Sequence, residues 1–281
     1  MTAELVLRTA VGKSPLVRAL KQGAIASDRI AFEFVEVEPI TRAFRRMTRA
    51  LEFDVCEMAL TTHAQARAYG KPITALSVVL LRGLHHGALI CRRNSPLRGP
   101  ADLVGRRIGV RAWSQTTGVW VRGILQDDYG IDPESLTWLT EEDAHVQEFV
   151  DPPFVQRIAT GQQLPSMLLS GETDAGIALA VDPAQVRPVI PNVDAVAAEW
   201  SRGAGVYPIN HVVVVKDALL AHHPWLADEL MRLFVAAKAM SGEAVPYGLE
   251  ANRPAIELLM RYAARQQMIP RAYRPEELFI A

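Results

Sequence analysis

Residues 208–215 read PINHVVVV, a polar opening followed by four consecutive valines. β-Branched residues lose side-chain freedom in a helix and suit a pleated sheet, and an unbroken apolar run marks a strand covered on both faces. The run lies late in a chain of 281 residues, where it is placed to carry the chain back from a second lobe into a first. A matching crossover stands earlier, where GALICRR at 87–93 gives way to NSPLRGPADLVG at 94–105, with its Pro and Gly punctuation. The two crossovers divide the chain into a first lobe, residues 1–93 with 212–281, and a second lobe, residues 94–211.

Working outward, β-rich runs alternate with helical ones. ELVLRTA at 4–10, RIAFEFVEV at 29–37, FDVCEMAL at 53–60 and RRIGV at 106–110 read as strands. SPLVRALKQG at 14–23 carries a complete helix grammar: Ser14 as N-cap, Pro15 at the first helical position and Gly23 as stop. PITRAFRRMTRAL at 39–51 is amphipathic, with Ile40, Phe44, Met47 and Leu51 on one stripe and Arg42, Arg45, Arg46 and Arg49 on a solvated face. TTHAQARAYG at 61–70 reads as a helix with a Thr cap and a terminal Gly, and SQTTGVWVRGILQDDYG at 114–130 as a helix with a hydroxyl-rich start. WLTEEDAHVQEFVDPPF at 138–154 is acidic and reads as a loop. The remainder after residue 222 is mostly helical. Strands separated by short helices argue for parallel sheets covered on both faces. The expected class is therefore α/β, two lobes with a ligand cleft between them.

Composition removes several functions. A formal net charge of -1 provides no global basic field for nucleic acid. No stretch approaches the roughly 18 apolar residues that membrane insertion needs. MTAELVLRTAVGKSP at the start has no basic segment and apolar run of the secretory kind, so a cytoplasmic location is expected. The two cysteines, Cys56 and Cys91, have no metal spacing and read as buried thiols. No G-x-S-x-G, no Gly-rich phosphate loop and no H-x-x-x-H pair occurs, so no nucleophile, metal or cofactor is expected.

In open α/β sheets ligands sit outside the carboxyl ends of strands. The residues there are Lys13 and Ser14, then Thr61 and Thr62, then Trp113, Ser114, Gln115, Thr116 and Thr117. Two of these groups open helices, whose free amides suit a carboxylate. Arg82, His85 and His86 precede the first crossover, and His211 begins the returning strand. A histidine in such a place binds an anion or moves a proton. His86 and His211 are the candidate proton donors, with His86 placed first. Adjacent strand residues face opposite ways, so His85 turns from the direction His86 takes.

FDVCEMALTTHAQARAYG, GVWVRGILQDDYGI, LPSMLLSGETDAGIA, YPINHVVVVKDALLAHHPWLADEL and VPYGLEANRPAIELLMRYAARQQMIPRAYRPEELF, in this order, resemble the 4,5-dihydroxyphthalate decarboxylase family. That family resembles the type II periplasmic binding proteins in fold. The resemblance implies loss of carbon dioxide from an aromatic dicarboxylate without organic cofactor. The family's basic residue, His and small residue before the crossover correspond to His85, His86 and Gly87, and its histidine opening the returning strand to His211. The chain departs from the family at LAVDPA, where Ala180 and Val181 stand in place of an Arg. Two other readings remain: a solute-binding component of an ABC transporter for a small carboxylate anion, and a lyase of the menaquinone-pathway type. The expected partner is a small-molecule carboxylate; homo-oligomer formation is left open.

Overall fold

The computed structural model describes residues 4–280. In chain order the main elements are strand β1 (Leu5–Ala10), helix α1 (Pro15–Lys21), β2 (Ile30–Phe34), α2 (Thr41–Ala50), β3 (Val55–Ala59), α3 (Leu60–Ala68) and β4 (Ile73–Arg82). Then come β5 (Leu89–Arg92), β6 (Arg107–Val110), α4 (Thr116–Tyr129), β7 (Thr137–Thr140), β8 (Val155–Arg157), α5 (Leu164–Ser170), β9 (Ala175–Ile177), β10 (Val186–Pro188) and α6 (Val193–Ala204). The chain closes with β11 (Ile209–Lys216), α7 (Asp217–His222), α8 (Leu226–Ser241) and α9 (Leu249–Arg265).

These elements form two compact α/β units. Among the described residues, unit 1 comprises 4–82, 209–260 and 272–280; unit 2 comprises 83–208 and 261–271. Unit 1 is built on a five-stranded sheet of order β2-β1-β3-β11-β4. Ser14 caps α1 as its spacing to Pro15 demands, its Oγ accepting from the Leu16 amide at 3.2 Å. Leu16, Val17 and Leu20 of α1 and Leu230, Leu233 and Phe234 of α8 bury their apolar faces in one core with Leu7, Val55, Val213 and Val215 of the sheet. The C-terminal segment joins the far edge through a parallel bridge between Ala75 and Phe279. Unit 2 is built on a six-stranded sheet of order β10-β5-β9-β6-β7-β8.

Four expectations are corrected. Neither sheet is wholly parallel: β11 runs antiparallel to both β3 and β4, and β5 runs antiparallel to both β9 and β10. A strand that re-enters a sheet from another unit is free of the βαβ crossover that enforces parallel pairing. GALICRR does not complete the first sheet, because β5 takes its partners from β9 and β10. The stretch expected as a loop from residue 138 begins inside β7, whose Trp138, Leu139 and Thr140 pair with β8. Finally, α3 starts at Leu60 with Ala59 as N-cap, so Thr61 and Thr62 lie inside its first turn and neither is its cap.

Candidate active site

The carboxyl ends of β1 and β3 and the start of β11 meet at one end of the unit 1 sheet, and three groups converge there. The register explains why. Val213 lies opposite Glu57 and His211 opposite Ala59, so Glu57 and His211 are diagonal neighbours on one face. Irregular pairing of β11 with β4 around His211 marks a bulge at this point, the kind of feature that re-aims a side chain. Glu57 Oε1 lies 2.6 Å from His211 Nδ1. Glu57 Oε2 accepts from the Gly12 amide at 2.8 Å. A carboxylate accepts and does not donate, so Nδ1 carries the hydrogen. The Phe44 ring meets the imidazole edge-on, with centroids 5.1 Å apart. The side chains are only 12% and 6% exposed for His211 and Glu57, and a carboxylate so enclosed needs both its hydrogen bonds.

Of the other unit 1 residues expected at a ligand, Lys13, Ser14 and Arg82 have structural partners. Lys13 pairs with Glu38 at 2.9 Å on the open surface, and that hydrogen bond raises its pKa. Ser14 is spent as the α1 cap. Arg82 donates to the Ala244 carbonyl at 3.1 Å. Thr61 and Thr62 are buried. In the same helix His63 is fully buried with Nε2 2.9 Å from the Leu278 carbonyl, and burial lowers its pKa to about 4.

In unit 2, Trp113 lies in the core. Its ring is fully buried, its Nε1 donates to the Gln266 carbonyl at 3.1 Å, and the buried Arg122 guanidinium lies 3.7 Å over it. Arg122 also donates to Gln266 Oε1 and to the Trp113 carbonyl, and burial lowers its pKa to about 9. Ser114 and Thr116 are buried at the start of α4, Thr117 is half-buried, and Gln115 is the N-cap residue, its Oε1 buried without a partner. His85 stacks on Trp120 with centroids 6.4 Å apart. His86 is 1% exposed, its ring set edge-to-face against Trp200 with centroids 5.2 Å apart, and its buried Nδ1 has no hydrogen-bond partner among the described residues. Burial lowers its pKa. Among the described residues no group of three or more His, Cys, Asp or Glu is placed to hold a metal ion, and no helix is long and apolar enough to cross a membrane.

No family model matches the chain. A 4,5-dihydroxyphthalate decarboxylase of Comamonas testosteroni is 28% identical over 259 residues, covering 85% of this chain and 76% of the relative. A 4,5-dihydroxyphthalate decarboxylase of Pseudomonas putida is 31% identical over 182 residues, covering 62% of this chain and 70% of the relative. The chain belongs to the 4,5-dihydroxyphthalate decarboxylase family. Its fold is that of periplasmic binding proteins: the aliphatic sulphonate binding protein SsuA of Escherichia coli superposes with a TM-score of 0.54 at 13% identity, covering 94% of this chain and 79% of the other. The desulfurization enzyme DSZB superposes with a TM-score of 0.55 at 13% identity, covering 98% of this chain and 96% of the other. One fold thus serves binding proteins and an enzyme, and function must be read from side chains.

For this member of the decarboxylase family, the residues that sequence reasoning missed are Glu57 and Gly12. A signal for Glu57 was present. It is the one charged residue of VCEMA, a strand buried at every position, and an acid in such a strand requires a partner. Nothing local marks Gly12.

Proposed function

We propose that this protein is a decarboxylase of an aromatic dicarboxylate of the 4,5-dihydroxyphthalate kind, acting without organic cofactor, with His211 as proton donor. The observation that carries the reading is the His211–Glu57 contact at 2.6 Å, at the carboxyl end of β3 where a ligand of an α/β sheet is expected. The chemistry asks for such a group. In 4,5-dihydroxyphthalate each carboxylate stands para to a hydroxyl, which pushes electron density onto the ring carbon that holds the carboxylate. That carbon takes the proton from Nε2 of the doubly protonated imidazole. The bond to the carboxylate then breaks, its electron pair restores the aromatic ring, and carbon dioxide leaves. The imidazole is left neutral and recovers its proton from solvent. A positioned acid of this kind contributes about 10²–10⁴-fold. The second carboxylate stays bound. His86, the donor that sequence reasoning placed first, has no hydrogen-bond partner at Nδ1 among the described residues and is pushed by burial toward its neutral form.

A second reading, capture of a small carboxylate anion without chemistry, is favoured by the likeness in fold to sulphonate-binding proteins. Incubation with 4,5-dihydroxyphthalate separates the two. The decarboxylase releases equal amounts of carbon dioxide and 3,4-dihydroxybenzoate. Tight binding of the dicarboxylate with neither product appearing would establish the binding protein instead.

A further inference from the structure

We infer that Glu57 is the positioning residue of His211 and that the Gly12 amide sets which way it works; the inference rests on His211 as donor. Both carboxylate oxygens are committed, Oε2 to the Gly12 amide at 2.8 Å and Oε1 to His211 Nδ1 at 2.6 Å. The space around them leaves little room to rearrange: a Cβ at position 12 would stand 3.1 Å from Oε2 and 3.6 Å from Ile40. The carboxylate therefore holds the hydrogen of the neutral imidazole on Nδ1. Nε2 makes no hydrogen bond with the described residues and is the nitrogen left to exchange a proton with a substrate and with solvent. Gly12, Glu57 and His211 come from the loop after β1, from β3 and from β11, so the arrangement ties the reactive nitrogen to three neighbouring segments at one end of the sheet.

Glu57→Gln turns the arrangement against itself. The Gly12 N–H needs an acceptor, so it holds the Gln oxygen at the Oε2 position, and the Gln NH₂ is left facing His211. Nδ1 must then accept, and the hydrogen of the neutral ring moves to Nε2. The experiment is nitrogen NMR of histidine-labelled protein at a pH where the ring is neutral, with the His211 signal assigned from a His211→Asn sample, combined with steady-state kinetics on 4,5-dihydroxyphthalate. In the wild type, Nδ1 is expected to show the protonated signature and Nε2 the unprotonated one. In Glu57→Gln the two are expected to exchange, with kcat falling at least about 100-fold and KM changing less than about threefold. A wild-type His211 protonated on Nε2 overturns the inference without any variant. So does a folded Glu57→Gln with unchanged tautomer or unchanged kcat. Should the wild type turn over no dicarboxylate, the donor reading falls while the tautomer measurement still decides the role of Glu57.

Discussion

His211 has a carboxylate 2.6 Å from one ring nitrogen, whereas His86 packs edge-to-face with the Trp200 indole, centroids 5.2 Å apart, and its buried Nδ1 has no hydrogen-bond partner among the described residues. The first ring is oriented by a hydrogen bond that also specifies its tautomer. The second is held by packing alone, and burial favours its uncharged form. His211 lies within β11 and His86 opens a short 3-10 turn before β5, and both correspond to histidines that the family resemblance singles out. The difference teaches that a histidine becomes an acid or base through the group behind it. That group lies far away in sequence for His211, and among the described residues none meets the Nδ1 of His86.

The largest test of this contrast is His211→Asn. Its amide can still donate toward Glu57 but cannot protonate carbon, so decarboxylation is expected to fall about 10²–10⁴-fold with dicarboxylate binding retained. Turnover within about threefold of wild type, measured by carbon dioxide release, would remove His211 from the chemistry.

A third histidine calibrates the effect of burial. His63 is fully enclosed, and its pKa in the folded chain is about 4 against an ordinary value of 6.5. Between those values the unfolded chain binds the proton and the folded chain does not. Stability therefore falls as pH drops from about 6.5 to about 4, by on the order of 3 kcal/mol, and is unaffected by this group above that window. His63→Gln, which keeps a donor for the Leu278 carbonyl, is expected to flatten this part of a denaturant-midpoint profile against pH. A variant with the wild-type slope would mean that other groups cause it.

Gly12→Ala probes the oriented histidine more gently. The added Cβ meets Glu57 Oε2 at 3.1 Å. A shift of a few tenths of an ångström in the carboxylate is expected to lower kcat about tenfold, near 1.4 kcal/mol, without loss of fold. Unchanged kcat would show that the carboxylate adjusts freely.

The smallest effect is expected at the unpartnered histidine. His86→Phe replaces a buried nitrogen that has no hydrogen bond with an apolar ring edge against Trp200. Stability is expected to hold or rise by up to about 1 kcal/mol, and turnover to stay within about twofold. A folded His86→Phe that loses turnover would reverse the comparison and return the donor role to His86.

Local chemistry made much of this molecule legible from the chain alone. Ser14 followed by Pro15 announced the start of α1, the valines of 212–215 announced a buried strand, and His211 was recognisable as a residue opening that strand. Each of those signals spans a few neighbouring residues, because capping and hydrophobic periodicity act over one or two turns or a single strand. Trp113 is ambiguous in sequence for the same reason: a large aromatic after β6 can line a ligand or fill a core, and only the structure shows the Gln266 carbonyl and the Arg122 guanidinium packed against it. The site itself depended on pairings across the chain. Gly12 and Glu57 are separated by 45 positions, Glu57 and His211 by 154. Their meeting required that β11 run antiparallel to β3 in the register that sets Val213 opposite Glu57. A slip of one residue would turn His211 to the other face of the sheet. Periodicity tells a strand which of its faces are covered; it does not say which strand will lie beside it, in which direction or in which register. Those are decided when the two sheets close their cores.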